Sequence, residues 1–312
     1  MTKNIWIIWS WGAVWVQLEK LLQQHPEFSS TFSTTPSWLS QLDTNSWAHA
    51  IKDILSENEV VILAVHDSVA ESIMWVKENI GWISKIIDCS TAHRVNPNWV
   101  YWLPEIEWRR WELETAPLIA NPGCHSSAII LGISPLKNTE LINESSNTVM
   151  HSITGYSWWG KGMVLDYEQA WNIAPLQYCT WIEHKHESEI KVHTWLRNVI
   201  FQPEVVNYFN GLKTNVFLQL TQKWKQLSQN DFIEIFTQYY LWKKFINVAE
   251  VPKSWKVDMS ENNWTQNVTI YIKKHLDTFQ VVTVLDNMMK WAAGAVVQNL
   301  NIIYWLDENE WF

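Results

Sequence analysis

Glycine is what this sequence is short of: 9 in 312 residues, where average usage of about 7% would place roughly 22. So few glycines exclude the usual supply of tight turns, left-handed helix caps and close backbone approaches. Cysteine is also scarce. Cys89, Cys124 and Cys179 are odd in number, far apart and without a CxxC pair, which excludes a disulfide framework and fits a reducing cytoplasm. No basic-then-apolar leader stands ahead of Asn4, and no apolar run approaches the roughly 20 residues of a membrane helix; the opening run, residues 5–16, is short and interrupted. Basic charge is thin as well: 23 Lys and Arg against 32 Asp and Glu give a net charge of -9, with no Lys/Arg block. Nucleic acid and anionic membranes are therefore excluded as expected partners.

What is present in excess is tryptophan, 24 residues of a normally rare type. Several stand where bulk is hard to place. Trp9 and Trp15 flank Gly12 at the spacing GxxGxxG, and Trp158-Trp159 interrupt Ser157-Trp-Trp-Gly160-Lys161, a tight-loop composition if both were glycine. Glycine and tryptophan have traded places, and the expectation is a UGA codon, read as glycine in some bacteria, rendered here as tryptophan. A naturally Trp-rich protein or a decayed pseudoenzyme is the alternative.

At 312 residues the chain exceeds a single core, so two domains are expected, an α/β domain over residues 1–122 and 288–312 and an α+β domain over residues 123–287. Residues 5–8 predict a strand and residues 13–22, with Val14, Leu18, Leu21 and Leu22 at helical spacing, a helix. Residues 28–33, 60–65 and 85–88 predict further strands alternating with helices, the pattern of a Rossmann-type doubly wound sheet. Beyond Cys124 the runs lengthen and alternate, at residues 148–153, 216–220, 268–272 and 279–285, and predict a mainly antiparallel sheet. A last helix is expected over residues 289–301.

With Trp9, Trp11 and Trp15 read as glycine, the first strand runs into G-S-G-G-A-V-G and a helix, so Trp9, Ser10, Trp11, Gly12, Ala13, Val14 and Trp15 form a candidate pyrophosphate loop. As written, indoles block that approach. The acidic residue that would take an NAD ribose hydroxyl is missing; Ser33 and Thr34 stand there instead, and their hydroxyls favour NADP over NAD.

Asn121-Pro122-Gly123-Cys124 turns the chain into an apolar stretch, so Cys124 falls in the first turn of a helix, whose positive end can stabilise a thiolate nucleophile. Structural burial is the expectation for Cys89 and Cys179. Glu183-His184-Lys185-His186-Glu187-Ser188-Glu189 places two histidines and a carboxylate near each other in sequence. Acid–base apparatus, a metal site or a solvated loop would all suit such a segment, and no further cluster completes a metal shell.

These motifs together resemble the N-acetyl-gamma-glutamyl-phosphate reductases, whose cysteine sits in NPGC at a helix start. Residues 87–94 (IDCSTAHR) resemble that family's D-L-S-A-D-F-R strand end, residues 101–105 (YWLPE) its Y-G-L-P-E, residues 154–161 (TGYSWWGK) its SGYSGGGK loop, residues 183–189 its H-K/R-H-x-x-E segment and residues 285–292 (LDNMMKWA) its L-D-N-L-G-K-G-A. Two departures stand out. Residues 64–68 (AVHDS) replace A-L-P-H-G, and His125 replaces a common tyrosine.

The resemblance implies a semialdehyde dehydrogenase-like fold, a homodimer or homotetramer, and NADPH-dependent reduction of a small acyl phosphate through a Cys124 thioester. It puts the acid–base role on His184, with His186 as alternative, and substrate contacts on Arg94, Asn121, His186 and Glu189. Cofactor contacts fall on Ser90, Ser157, Trp158 and Asn287, the last to the nicotinamide amide. The rival readings are an aminoadipyl-phosphate reductase acting on a carrier-bound substrate, which a basic rim around the mouth would favour and against which the net charge of -9 speaks, and a non-catalytic dimerising scaffold. Aspartate-semialdehyde dehydrogenase shares the architecture, but its N-x-N-C pattern does not match Gly123.

Overall fold

The computed structural model describes residues 2–9, 13–34, 44–80, 84–106, 109–159, 161–169, 173–179, 183–254 and 256–310. The chain forms two compact units, Met1–Pro122 with Ala292–Phe312, and Gly123–Trp291. Residues 288–291, expected with the first domain, group with the second unit.

The first unit is built on six parallel strands, β1 (Lys3–Trp9), β2 (Phe28–Thr34), β3 (Val60–Ala64), β4 (Lys85–Asp88), β5 (Val100–Tyr101) and β6 (Leu118–Ala120), in the order β2-β1-β3-β4-β6-β5. Helices α1 (Ala13–Gln24), α2 (Thr44–Glu57), α3 (Asp67–Ile80) and α4 (Arg109–Thr115) connect them. The near-continuous apolar run of β3, Val60 to Leu63, is fully buried because helices cover both faces of a parallel sheet. The chain leaves β1 to one side for β2 and returns to its other side for β3, so the strand order reverses at β1. In open parallel sheets such a reversal marks the carboxyl end of the strands where ligands bind.

The second unit opens with α5 (Cys124–Ile133) and contains a seven-stranded sheet, β7 (Thr148–Thr154), β8 (Leu176–Gln177), β9 (Val199–Val205), β10 (Leu212–Gln219), β11 (Ile246–Ala249), β12 (Val268–His275) and β13 (Thr278–Leu285), in the order β11-β12-β13-β10-β7-β9-β8. It is a mixed sheet. The β7–β9 and β11–β12 pairings are parallel and the other neighbours antiparallel. Helices α6 (Lys161–Gln169), α7 (Lys185–His193) and α8 (Gln229–Tyr239) complete the unit. Along β7, Thr148, Met150, Ser152 and Thr154 alternate inward, the period of a sheet with one covered face. Helix α5 packs on β10 and β13. At Gly132 a Cβ would lie 2.5 Å from Thr283 Oγ1, so only glycine allows that approach.

The expected last helix begins differently. Met289–Ala293 is a π-helical turn, and α9 runs Gly294–Ile303 within the first unit. Its end is a full left-handed cap: the Leu306 N–H donates to Asn301 O at 2.8 Å and the Trp305 N–H to Ile302 O at 3.2 Å, with Trp305 at φ 61°. Glycine is the residue this position selects, because a Cβ there meets its own backbone. Trp264 repeats the anomaly, at φ 64° in a turn closed by the Thr265 N–H on Asn262 O. No helix among the described residues is long and apolar enough to cross a membrane.

Candidate active site

Gly123 caps α5 with extended backbone, φ -84° and ψ 154°, and Cys124 is the first helical residue, half-buried. The helix start is clamped from α7. Glu189 is 2% exposed, and its Oε2 accepts from the Gly123 N–H at 3.0 Å and from the Ser126 hydroxyl at 2.7 Å. A carboxylate at a helix N-terminus is favourable there. Glu189 was expected to hold substrate; the structure commits that oxygen to the helix that carries the cysteine.

His184 caps α7. Its Nδ1 accepts from the His186 N–H at 3.2 Å, while Glu187 Oε1 accepts from the His184 N–H at 3.4 Å. A bare Nδ1 places the proton of the neutral ring on Nε2. Burial, then the charge of Lys185, lowers the His184 pKa to about 4, against the opposing pull of Glu189. His186 is buried, its Nε2 3.7 Å from Glu189 Oε1, and its ring lies 4.7 Å from that of His184. The segment 184–189 and the start of α5 thus form one cluster.

Three members of this cluster were not anticipated. His125, fully buried, contacts Ser152 Oγ through Nδ1 at 2.6 Å and Tyr178 Oη through Nε2 at 3.1 Å. Its ring lies 5.2 Å from His186 and 6.2 Å from His184. Burial, and then His184, lowers its pKa to about 3, so it is neutral. Tyr178 stands 5.6 Å from the His184 ring. Its phenol is pushed well above the usual range by burial, then by Cys124 and Cys179. The adjacency of His125 to Cys124 was a visible signal; nothing in the spacing of Ser152 or Tyr178 was.

Trp158 and Trp159 pack here too. Their rings lie 6.0 and 5.5 Å from Tyr178, and both indole N–H groups are buried without a hydrogen-bond partner among the described residues. Asn287, expected on the nicotinamide, turns its amide inward. Oδ1 accepts from the Gly211 N–H at 2.8 Å, and Nδ2 donates to Thr154 Oγ1 at 3.2 Å and Ser157 Oγ at 3.3 Å. With both amide hydrogens engaged, it ties the loops around Gly155 and Gly211 together. Cys179 is half-buried at φ 52° rather than a buried structural residue.

In the first unit, Trp9 is buried at the end of β1. Ser10, Trp11 and Gly12 lie outside the described residues, as do the side chains of Ala13, Val14, Trp15, Ser33 and Thr34. Ser90 gives its N–H and its hydroxyl to the two carboxylate oxygens of Asp88, each at 2.8 Å. His93 Nδ1 meets the same carboxylate at 2.6 Å. Arg94 is buried, with Nη2 donating to Cys89 O at 3.1 Å, and Asn121 is buried just after β6. Cys89 is half-buried like Cys179; burial of its sulfur, then Asp88, pushes the thiol up to about 12, which disfavours its thiolate. No group of three or more His, Cys, Asp or Glu among the described residues could hold a metal ion.

Residues 4–114 match the NAD binding domain of semialdehyde dehydrogenases and residues 124–287 their dimerisation domain. N-acetyl-gamma-glutamyl-phosphate reductases of Brucella suis and Brucella canis are each 30% identical over 266 residues, covering 80% of this chain and 84% of theirs. Among solved structures, aspartate semialdehyde dehydrogenase II of Vibrio cholerae superposes with a TM-score of 0.73 at 14% identity, covering 97% of this chain and 99% of that one. The NADP complex of the Candida albicans aspartate semialdehyde dehydrogenase gives 0.69 at 16% identity, covering 97% and 99%. The two domain matches fix the fold, the Brucella enzymes narrow it further, and the chain belongs to the N-acetyl-gamma-glutamyl-phosphate reductase family within the semialdehyde dehydrogenases.

Proposed function

We propose that this protein reduces N-acetyl-L-glutamyl 5-phosphate to N-acetyl-L-glutamate 5-semialdehyde and phosphate, a step of arginine biosynthesis, with NADPH as reductant and Cys124 as nucleophile. The observation that carries the reading is Cys124 at the first position of α5, with the helix start clamped by Glu189 beside the two imidazoles of His184 and His186. The reversal of strand order at β1 suits a dinucleotide. Residues 9–15 would meet its pyrophosphate, and the hydroxyls of Ser33 and Thr34 a 2′-phosphate. NADPH, when bound there, supplies the hydride that reduces the thioester carbonyl.

The chain's own groups do the rest. The Cys124 sulfur forms a bond to the acyl carbon, and the carbon–oxygen bond to phosphate breaks with its electron pair, the anion drawn by Arg94. After reduction the carbon–sulfur bond breaks, the aldehyde leaves and the thiolate returns. His184, neutral and protonated on Nε2, supplies a hydrogen bond or a proton to the oxygen that becomes negative in each tetrahedral adduct. The assay is phosphate-dependent reduction of NADP by N-acetylglutamate semialdehyde, run on protein with glycine restored at the anomalous tryptophans; activity that survives Cys124→Ser removes the covalent mechanism.

The same reading takes the anomalous tryptophans as glycine codons rendered as tryptophan, which frees the phosphate loop and the loop at Trp158. Trp305 and Trp264, both at left-handed φ, support it, as do the buried indole N–H groups of Trp158 and Trp159, which have no hydrogen-bond partner among the described residues. Sequencing the gene decides: UGG at Trp9, Trp15, Trp158 and Trp291 would end it. The match to a dimerisation domain supports an oligomer, a homodimer or homotetramer.

A further inference from the structure

Ser152 has one partner for its hydroxyl among the described residues, His125 Nδ1, and it is fully buried. A buried hydroxyl hydrogen left without an acceptor is costly, so Ser152 donates and His125 Nδ1 accepts. The neutral imidazole then carries its hydrogen on Nε2 and donates to Tyr178 Oη at 3.1 Å. The phenol oxygen is thereby an acceptor. Its own hydrogen has no acceptor among the described residues and is left for something that enters the site. Tyr178 lies against the ring of His184, whose Nε2–H is the other donor on this side.

We infer that Tyr178 is a second hydrogen-bond donor to the oxygen of the acyl group carried on Cys124, and that Ser152 and His125 act as positioning residues that fix the direction of its O–H. The inference rests on the reading of Cys124 as the nucleophile. Two donors converging on one oxygen favour the tetrahedral adducts over the planar acyl group, because charge gathers on that oxygen only in the adduct. The histidine at position 125 thus has a task that depends on its two ring nitrogens, which a phenol cannot copy.

The test has two arms on the full-length chain. In the first, nitrogen-15 NMR of labelled histidine reads the His125 tautomer: hydrogen on Nε2 is expected, and hydrogen on Nδ1 overturns the inference whatever the enzyme does. The second arm is kinetic. Tyr178→Phe removes one oxygen atom and should lower kcat about 100- to 1,000-fold with little change in KM, the usual effect of losing one such donor. His125→Gln, which can keep a donor near the Nε2 position, should retain more kcat than His125→Phe. A Tyr178→Phe enzyme with unchanged kcat, or one altered only in KM, overturns the inference. Glycine-restored protein that keeps Tyr178 and His125 yet is inactive toward the acyl phosphate would instead defeat the functional reading, leaving the tautomer to be judged by the first arm.

Discussion

Replacing Glu189 by alanine tests whether the carboxylate holds the nucleophile's helix or merely lies near it. Two donors lose their acceptor, the Gly123 N–H and the Ser126 hydroxyl. Ser126 has an alternative, since its hydroxyl also reaches Gly123 O at 3.0 Å. The Gly123 N–H has none among the described residues. A buried donor left unsatisfied costs about 1–3 kcal/mol, and the space vacated by a 2% exposed side chain adds on the order of 1 kcal/mol. Removing a buried charge offsets part of this, so the net loss should be about 2–3 kcal/mol, read as a lower midpoint in urea unfolding. Glu189→Gln keeps an acceptor and should lose less than about 1 kcal/mol. It should also speed alkylation of Cys124 by iodoacetamide, because a negative charge leaves the helix start and the thiolate gains. An alanine variant within about 0.5 kcal/mol of wild type, or a glutamine variant alkylated more slowly, would refute the reasoning.

Trp305→Gly should raise stability by about 1 kcal/mol, since it relieves a left-handed backbone that a Cβ opposes, and the same holds for Trp264→Gly; a lower urea midpoint for either would contradict the cap geometry. Gly155→Ala would set a Cβ 2.5 Å from Phe209 O and 2.6 Å from Tyr208 O, so a destabilisation of about 1–3 kcal/mol is expected in thermal unfolding. Stability should fall as pH drops below about 6.5. The folded pKa values of His184 and His125 are depressed to about 4 and about 3, so across that window the unfolded chain binds protons that the folded one refuses. Urea midpoints from pH 7 to pH 4 check this, and a midpoint that rises on acidification would count against it.

The parallel sheet was legible because its strands are buried on both faces and read as unbroken apolar runs, as at Val60 to Leu63. Helix α5 and its cysteine were legible for a local reason, the Pro122-Gly123 turn before an apolar stretch. The role of Glu189 was not. Its partner Gly123 is 66 residues away, and only the packing of α7 on α5 brings them together. The hydrogen bonds of Asn287 to Thr154 and Ser157 were hidden in the same way, because they span more than 100 residues. The task of His125 was not legible either, since it depends on two hydroxyls that no sequence interval connects to it. The parallel β7–β9 pairing escaped because strand direction leaves no mark in a hydrophobic pattern.

Helix α9 ties the last residues of the chain into the first unit. His25 Nε2 meets Asn301 Oδ1, Gln298 donates to Glu105 and Glu308, and the Tyr304 hydroxyl reaches Glu59. During synthesis, then, the amino-terminal unit has its sheet early but lacks a helix that fills part of its core until the whole second unit has been made. The unit made in the middle can finish first. A ribosome that stalls beyond Trp291 would release a folded second half joined to a half that cannot close.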